Sequence, residues 1–272
     1  MNLYALIAFS LLSFQFAAAQ NLEETIQYAD AQLKAGNNSS ALKAYQRAVF
    51  FSDGQNNLYL YTQVADISFS NGDYENAQKY YGFAYNQSEN DSLKTELLFD
   101  KAYCQILNKN YQFAIIDLLS IADTSTLVEK RLNFYLGTCY FGLEEFSKAE
   151  SSFLLCVDQN EKSELTALFS ERHFRKPSPK AARIMSTIIP GLGQTYSGDL
   201  KSGFNSLLLT SGLVVLGITI AITYHPIDAI VAILPWYQRY YTGGYNNAEK
   251  IAMQKRAARR AEIYRNILTL AG

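Results

Sequence analysis

At 272 residues the chain is long enough for one large domain or two smaller ones. Its net charge of −1 conceals a division: residues 1–171 hold 11 Lys/Arg against 21 Asp/Glu, whereas residues 172–272 hold 13 against 4. A break of that size argues for two parts in different surroundings, and a long charge-free apolar run inside the basic part favours a membrane over nucleic acid.

The first 19 residues, MNLYALIAFSLLSFQFAAA, are apolar and end in small residues before Gln20. That pattern predicts a secretory signal peptide cleaved after Ala19, although its start carries no Lys or Arg beyond the amino terminus. An uncleaved anchor is the alternative. No Cys follows the apolar run, which argues against a bacterial lipid anchor there.

Residues 20–165 carry an internal repeat. A small residue is followed twelve positions later by Ala, and four further on by a large side chain: Ala29/Ala41/Tyr45, Ala65/Ala77/Tyr81, Ala102/Ala114/Leu118 and Gly137/Ala149/Phe153. Three residues beyond come Ala48, Ala84, Ile121 and Cys156. The second alanines are 36, 37 and 35 residues apart. Such spacing predicts pairs of antiparallel helices, the small residues letting backbones approach while the large ones fill the groove. Turn-prone links such as KAGNNSS and SNGDYEN join the two helices, with Gly36 and Gly72 placed where a helix end needs positive φ. Tyr74, Tyr111 and Phe146 precede the second Ala by three residues and are expected to pack at the start of the second helix. Cys104, Cys139 and Cys156 fall in these apolar patterns without C-x-x-C spacing, and read as reduced core thiols.

These units, best seen in SNGDYENAQKYYGFAY, resemble the tetratricopeptide repeat, a helix–turn–helix of about 34 residues. The third unit departs from that pattern, with Leu118 and Ile121 where Tyr and Ala are typical. The resemblance implies an all-α superhelix of about four units and a groove for a partner peptide or helix. Tyr45, Tyr81, Tyr74 and Tyr111 are the candidate groove residues, since aromatics are enriched at binding hot spots. A rigid spacer that binds nothing is the plainer alternative.

Residues 166–183 form a Pro-containing basic link, with Pro177 and Pro179 among Arg172, Arg175, Lys176, Lys180 and Arg183. It reads either as a solvated linker or as a juxtamembrane basic patch. A helical membrane module is expected over residues 184–245. Within it, 26 residues between Lys201 and Asp228 carry no formal charge, and Phe204 to Tyr224 is about the length that crosses a bilayer. After Pro226 a second apolar stretch is interrupted by Pro235 and ends in Trp236, Tyr237, Tyr240 and Tyr241, as an interfacial aromatic belt would. Residues 246–272 read as a basic amphipathic helix that lies on a membrane or packs on the preceding segments. With one span the tail reaches the cytoplasm; a hairpin using Ala229–Tyr237 returns it to the periplasm.

The segment IIPGLGQTYSG, residues 188–198, carries glycines that invite a phosphate-loop reading. Gly191, Gly193 and Gly198 fail the G-x-G-x-x-G spacing, and no G-K-[ST] follows. Pro190, Gly191, Gly193, Gln194, Tyr196, Gly198 and Gly203 instead resemble bihelical membrane domains of the TM2 type, and a related module of bacterial envelope proteins that carry tetratricopeptide repeats. The resemblance supplies no catalytic residue. In physical terms Pro190 and the glycines break a short helix, and Gln194 satisfies backbone groups the break sets free.

The sequence thus predicts a non-enzymatic scaffold in the bacterial inner membrane, its repeats in the periplasm, with a protein partner and the lipid bilayer as its contacts. No cofactor, metal, nucleic acid or small-molecule substrate is expected. A competing expectation is a transporter or enzyme subunit in which Gln194, His225 and Asp228 converge at membrane depth.

Overall fold

The computed structural model describes residues 21–54, 57–123, 125–170 and 174–272. The expected signal peptide over residues 1–19 lies outside them, as do Arg172 and His173. Among the described residues all regular structure is helical, so the chain is all-α. It divides after Leu155, ten residues before the expected end of the repeats.

The first unit is four helix-turn-helix pairs. They are α1 (Leu22–Lys34) with α2 (Asn38–Phe51), α3 (Asn57–Ser70) with α4 (Tyr74–Gln87), α5 (Asp91–Leu107) with α6 (Tyr111–Leu119), and α7 (Thr126–Gly142) with α8 (Phe146–Phe153). Side chains start several of these helices: Asn21 accepts from the N–H of Glu23, Asp73 from Asn76 and Asn90 from Leu93.

All four turns close in one way. The N–H groups of Asn37, Asp73, Asn110 and Glu145 reach back five residues to the carbonyls of Gln32, Ser68, Gln105 and Tyr140, at 2.8–2.9 Å. The residue before each donor is left-handed: Gly36 (φ 76°), Gly72 (77°), Lys109 (60°) and Glu144 (63°). This is the helix-ending motif that favours Gly, held twice by residues that carry a Cβ.

The register alanines are buried completely, and Gly137 is small because a Cβ there would lie 2.9 Å from the Phe153 ring. Tyr111 packs against Gly142 of the following pair, where a Cβ would strike its ring. Burial pushes the thiols of Cys104 and Cys139 up to about 12, which makes them inert core groups.

The second unit begins at Cys156 and contains α9 (Lys162–Leu168), α10 (Pro179–Ile188), α11 (Leu192–Tyr196), α12 (Leu200–Thr223) and α13 (Pro226–Ala271). Ser178 caps α10 with Pro179 in its first turn, Asp199 caps α12 through Ser202, and His225 caps α13. Gly217 of α12 approaches Ile233 of α13, and Ser206 approaches Gly244, so the two helices form an antiparallel hairpin. α10 runs antiparallel to the later part of α13: Arg183 pairs with Glu249 at 3.0 Å, and the Tyr241 hydroxyl donates to the Thr187 carbonyl at 2.7 Å.

One expectation changes here, and one open alternative is decided. Pro235 does not interrupt the second apolar stretch; α13 runs through it for 46 residues and absorbs the basic tail. The proline removes one main-chain N–H, but packing on α12 on both sides of it, and on α10 after it, holds the rod together. The tail, for its part, packs on preceding segments: Ala248 and Ala252 join Ala182, Arg260 donates to the Phe174 carbonyl, and Ile263 and Ile267 are buried. Phe174 is itself buried, so the basic link is folded into the unit at that point.

Candidate functional site

Two places in the chain concentrate polar chemistry, one in each unit. In the repeats it is a stripe on the first helix of each pair. Counted from the small register residue, positions −6, −2 and +1 lie on one helical face. They hold Glu23, Gln27 and Asp30 on α1; Tyr59, Gln63 and Asp66 on α3; Glu96, Asp100 and Tyr103 on α5; and Arg131, Tyr135 and Thr138 on α7. Every one is exposed or half-buried.

Direct contacts join the stripe from helix to helix. The Tyr59 hydroxyl donates to Asp30 at 2.8 Å, linking α3 to α1. Phe69 lies 5.7 Å from Tyr103, and Tyr103 stacks on Tyr135 at 5.9 Å. Arg131 donates to Glu96 at 2.6 Å and sits 4.2 Å over the Phe99 ring. Five carboxylates therefore share one continuous surface with a single cation, which is already committed. Burial raises the Asp100 carboxyl to about 6, against the pull of Arg131 and with help from Asp66 and Glu96.

The four tyrosines expected to line a groove do not do so together. Tyr45 is 0 % exposed and Tyr81 5 %; both are core residues whose hydroxyls donate to Asp30 and Asp66 across their own helix pair. Burial, then those carboxylates, raises both phenol pKa values. The reason lies in the register itself, because the residue four past the second Ala must fill the space the small residues leave. Tyr74 packs on Phe69, and Tyr111 on Gly142. The stripe was missed because it is polar and so invisible to apolar periodicity. One signal did exist: Asp30 and Asp66 follow the small residue only in the two units whose large residue is Tyr. In the other two, with Leu118 and Phe153, the position holds Tyr103 and Thr138.

In the second unit the candidate residues Pro190, Gly191, Gly193, Gln194, Tyr196, Gly198 and Gly203 do come together, as a joint. Pro190 and Gly191 (φ 92°) turn the chain between α10 and α11. A Cβ on Gly191 would strike the Gly203 carbonyl, and one on Gly193 the Ala182 carbonyl. Gly203 has equally little room, against Thr195, and Gly198 (φ 84°) turns the chain toward α12.

Gln194, 1 % exposed, is the hub of this joint. Its Oε1 accepts from the Ser186 hydroxyl at 2.8 Å, and its Nε2 donates to the Gly244 carbonyl at 2.9 Å. The Ser186 oxygen accepts in turn from the Gly193 N–H at 2.9 Å. One amide thus ties α10, α11 and α13. The Tyr196 hydroxyl accepts from the Ser178 N–H at 3.2 Å, joining the start of α10 to the end of α11. Asp228, by contrast, lies sixteen residues from Gly244 on α13, roughly 24 Å of helix. Gln194, Asp228 and the neighbouring His225 therefore form no shared cavity.

α12 is long and apolar enough to cross a membrane, and only 6 % of its most apolar window is buried within the protein. Its 24 residues span roughly 36 Å, against about 30 Å of hydrocarbon. Ile222 is 81 % exposed and Val231 on the facing helix 72 %. A soluble core helix would be covered instead.

No protein-family model matches the chain, and comparison with curated proteins finds no match. Fold and sites together define the class: an all-α protein pairing a helix-turn-helix repeat array with one candidate membrane helix.

Proposed function

We propose that the chain is a membrane-anchored scaffold of the tetratricopeptide type, whose repeat array holds a cationic segment of a protein partner along the stripe of first helices. The hairpin of α12 and α13 is its anchor, fixed to the protein by the Gln194 joint. The leader-like first 19 residues support an array outside the cytoplasm, as in the bacterial envelope proteins that the membrane motif resembles. The chain binds rather than catalyses in this reading.

The stripe carries the proposal. Its five carboxylates, with aromatic rings between them, fit Lys or Arg side chains and their apolar stems, Glu96 being shared with Arg131 and Asp30 and Asp66 with core tyrosines. The test places photo-crosslinking side chains at Gln63 and at Thr138, with Phe50 of α2 as the off-stripe control, in cells expressing the full chain. One partner captured from both stripe positions and not from Phe50 is expected. Equal capture from all three, or none from the stripe, rejects the assignment and leaves the array a spacer. Extraction of the chain from membranes by alkaline carbonate would separately reject the anchor.

A further inference from the structure

The hairpin contains a polar cleft that anchoring does not require. A cavity of about 500 Å³ opens between α12 and α13, with Gln194 of α11 at one side, and its polar lining includes Ser202, Asn205, Ser206, Arg239 and Asn247. The contacts Gly217–Ile233 and Ser206–Gly244 fix the register of the hairpin. Extending it sets Arg239 level with Ser211, about 17 Å from either end of α12. An arginine at that level stands beside the apolar band rather than beyond it, where an uncompensated charge is costly.

No carboxylate lines the cleft. Among the described residues Arg239 has no ion pair, and the Ser206 hydroxyl is buried without a hydrogen-bond partner. The cleft extends from Arg239 toward the start of α12, where Asn205 and Asn247 face it from opposite helices. The guanidinium can therefore reach along an amide-lined path toward the headgroup layer while its stem remains among apolar neighbours. What the cleft offers is hydrogen-bond donors around one uncompensated positive charge, open sideways between two apolar helices.

We propose that this cleft binds the phosphate of an anionic phospholipid, with Arg239 as its charged donor and Asn205 and Asn247 as neutral ones. A guanidinium meets phosphate oxygens through paired N–H donors, and the adjoining apolar faces of α12 and α13 accommodate the acyl chains. Water-soluble phosphate shares the headgroup chemistry but not the chains. The site rests on membrane insertion of the hairpin.

The full chain is reconstituted in phosphatidylcholine nanodiscs containing a minor fraction of phosphatidylglycerol, then transferred to detergent, and the lipid it retains is counted by native mass spectrometry. Wild-type protein is expected to keep phosphatidylglycerol over phosphatidylcholine. Arg239→Gln should weaken that retention about tenfold or more, Asn247→Leu less, and Arg239→Lys should restore part of it. Arg256→Gln, on the tail outside the cleft, should change nothing. Unchanged retention in both Arg239→Gln and Asn247→Leu overturns the site. Displacement of the lipid by millimolar inorganic phosphate alone would reassign it to a soluble anion. Flotation of the same proteins with vesicles is read in parallel: loss of retention in variants that still float indicts the site alone, whereas failure of the wild type to float indicts the anchor.

Discussion

Replacing Gln194 by Leu keeps nearly the same volume inside the joint and removes both of its hydrogen bonds, so the cavity contribution is small and the polar one can be measured alone. Two bonds go, to the Ser186 hydroxyl and to the Gly244 carbonyl. At about 0.5–1.5 kcal/mol each, that is about 1–3 kcal/mol. The consequences for the two partners differ. The Gly244 carbonyl lies inside α13, where the helix supplies its own donor four residues on. The Ser186 hydroxyl is buried at the joint and loses its acceptor, a further cost of about 1–3 kcal/mol. The total is about 2–6 kcal/mol, a large share of the stability of a unit this size. Denaturant unfolding in mixed micelles measures it, and hydrogen exchange localises it, with opening expected first where α10 meets α13. Ser186→Ala strands the other end of the same bond, so the double variant should cost about 1 kcal/mol less than the sum of the singles. Strict additivity, or a loss below about 0.5 kcal/mol for Gln194→Leu, would show that Gln194 is a passenger in the joint.

The turns make a stabilising prediction: Lys109→Gly and Glu144→Gly should each gain up to about 1 kcal/mol in urea unfolding, by relieving left-handed residues that carry a Cβ. The same change at exposed Lys43, inside α2, should cost about 1 kcal/mol. Asp100 predicts a pH dependence. Its folded pKa of about 6 stands above the ordinary value near 3.9, so the folded state holds the proton longer, and stability falls as pH rises from about 4 through about 6. Asp100→Asn should therefore match wild type below pH 4 and exceed it at neutral pH by about 1 kcal/mol, solvent screening allowed for; identical melting curves at pH 7.5 would contradict this. Binding of a cationic segment at the stripe should strengthen over the same rise in pH, as Asp100 becomes charged. A maleimide should modify half-buried Cys156 first and reach Cys104 and Cys139 only with global unfolding, which mass spectrometry of partly labelled protein resolves.

What the sequence discloses depends on how far apart the interacting atoms lie along the chain. The helix pairs were legible because Ala29 and Ala41, or Ala65 and Ala77, meet across a single turn, and because apolar burial repeats with that period. Tyr45 and Tyr81 belonged to the same pattern, yet residue type alone suggested a surface role. The fifteen-residue step back to Asp30 and Asp66 supplies the partners that let a hydroxyl sit in the core. The glycine motif was legible as a helix break and no further. Its need for Gly at 191 and 193 comes from the carbonyls of Gly203 and Ala182, contacts that no local spacing encodes. Pro235 shows the reverse error, a sound local rule overruled by packing on both sides of the break.

The two units solve opposite problems with the same small residues. In the repeats, alanine brings two helices together so that apolar side chains leave water, and the polar residues are turned outward onto the stripe. In the hairpin the apolar side chains need no such shelter, since lipid can cover them, and Gly217 and Gly244 bring α12 and α13 close while leaving Ile222 and Val231 outside. There the polar residues turn inward, to Gln194 and to the cleft at Arg239. A Leu at Asn205 and one at Gln63 test that inversion directly. On the stripe an apolar side chain should leave stability within about 0.5 kcal/mol. In the cleft it should leave insertion intact and weaken lipid discrimination, by less than Arg239→Gln does, because what Asn205 offers there is a neutral donor to a charge arriving from outside the chain.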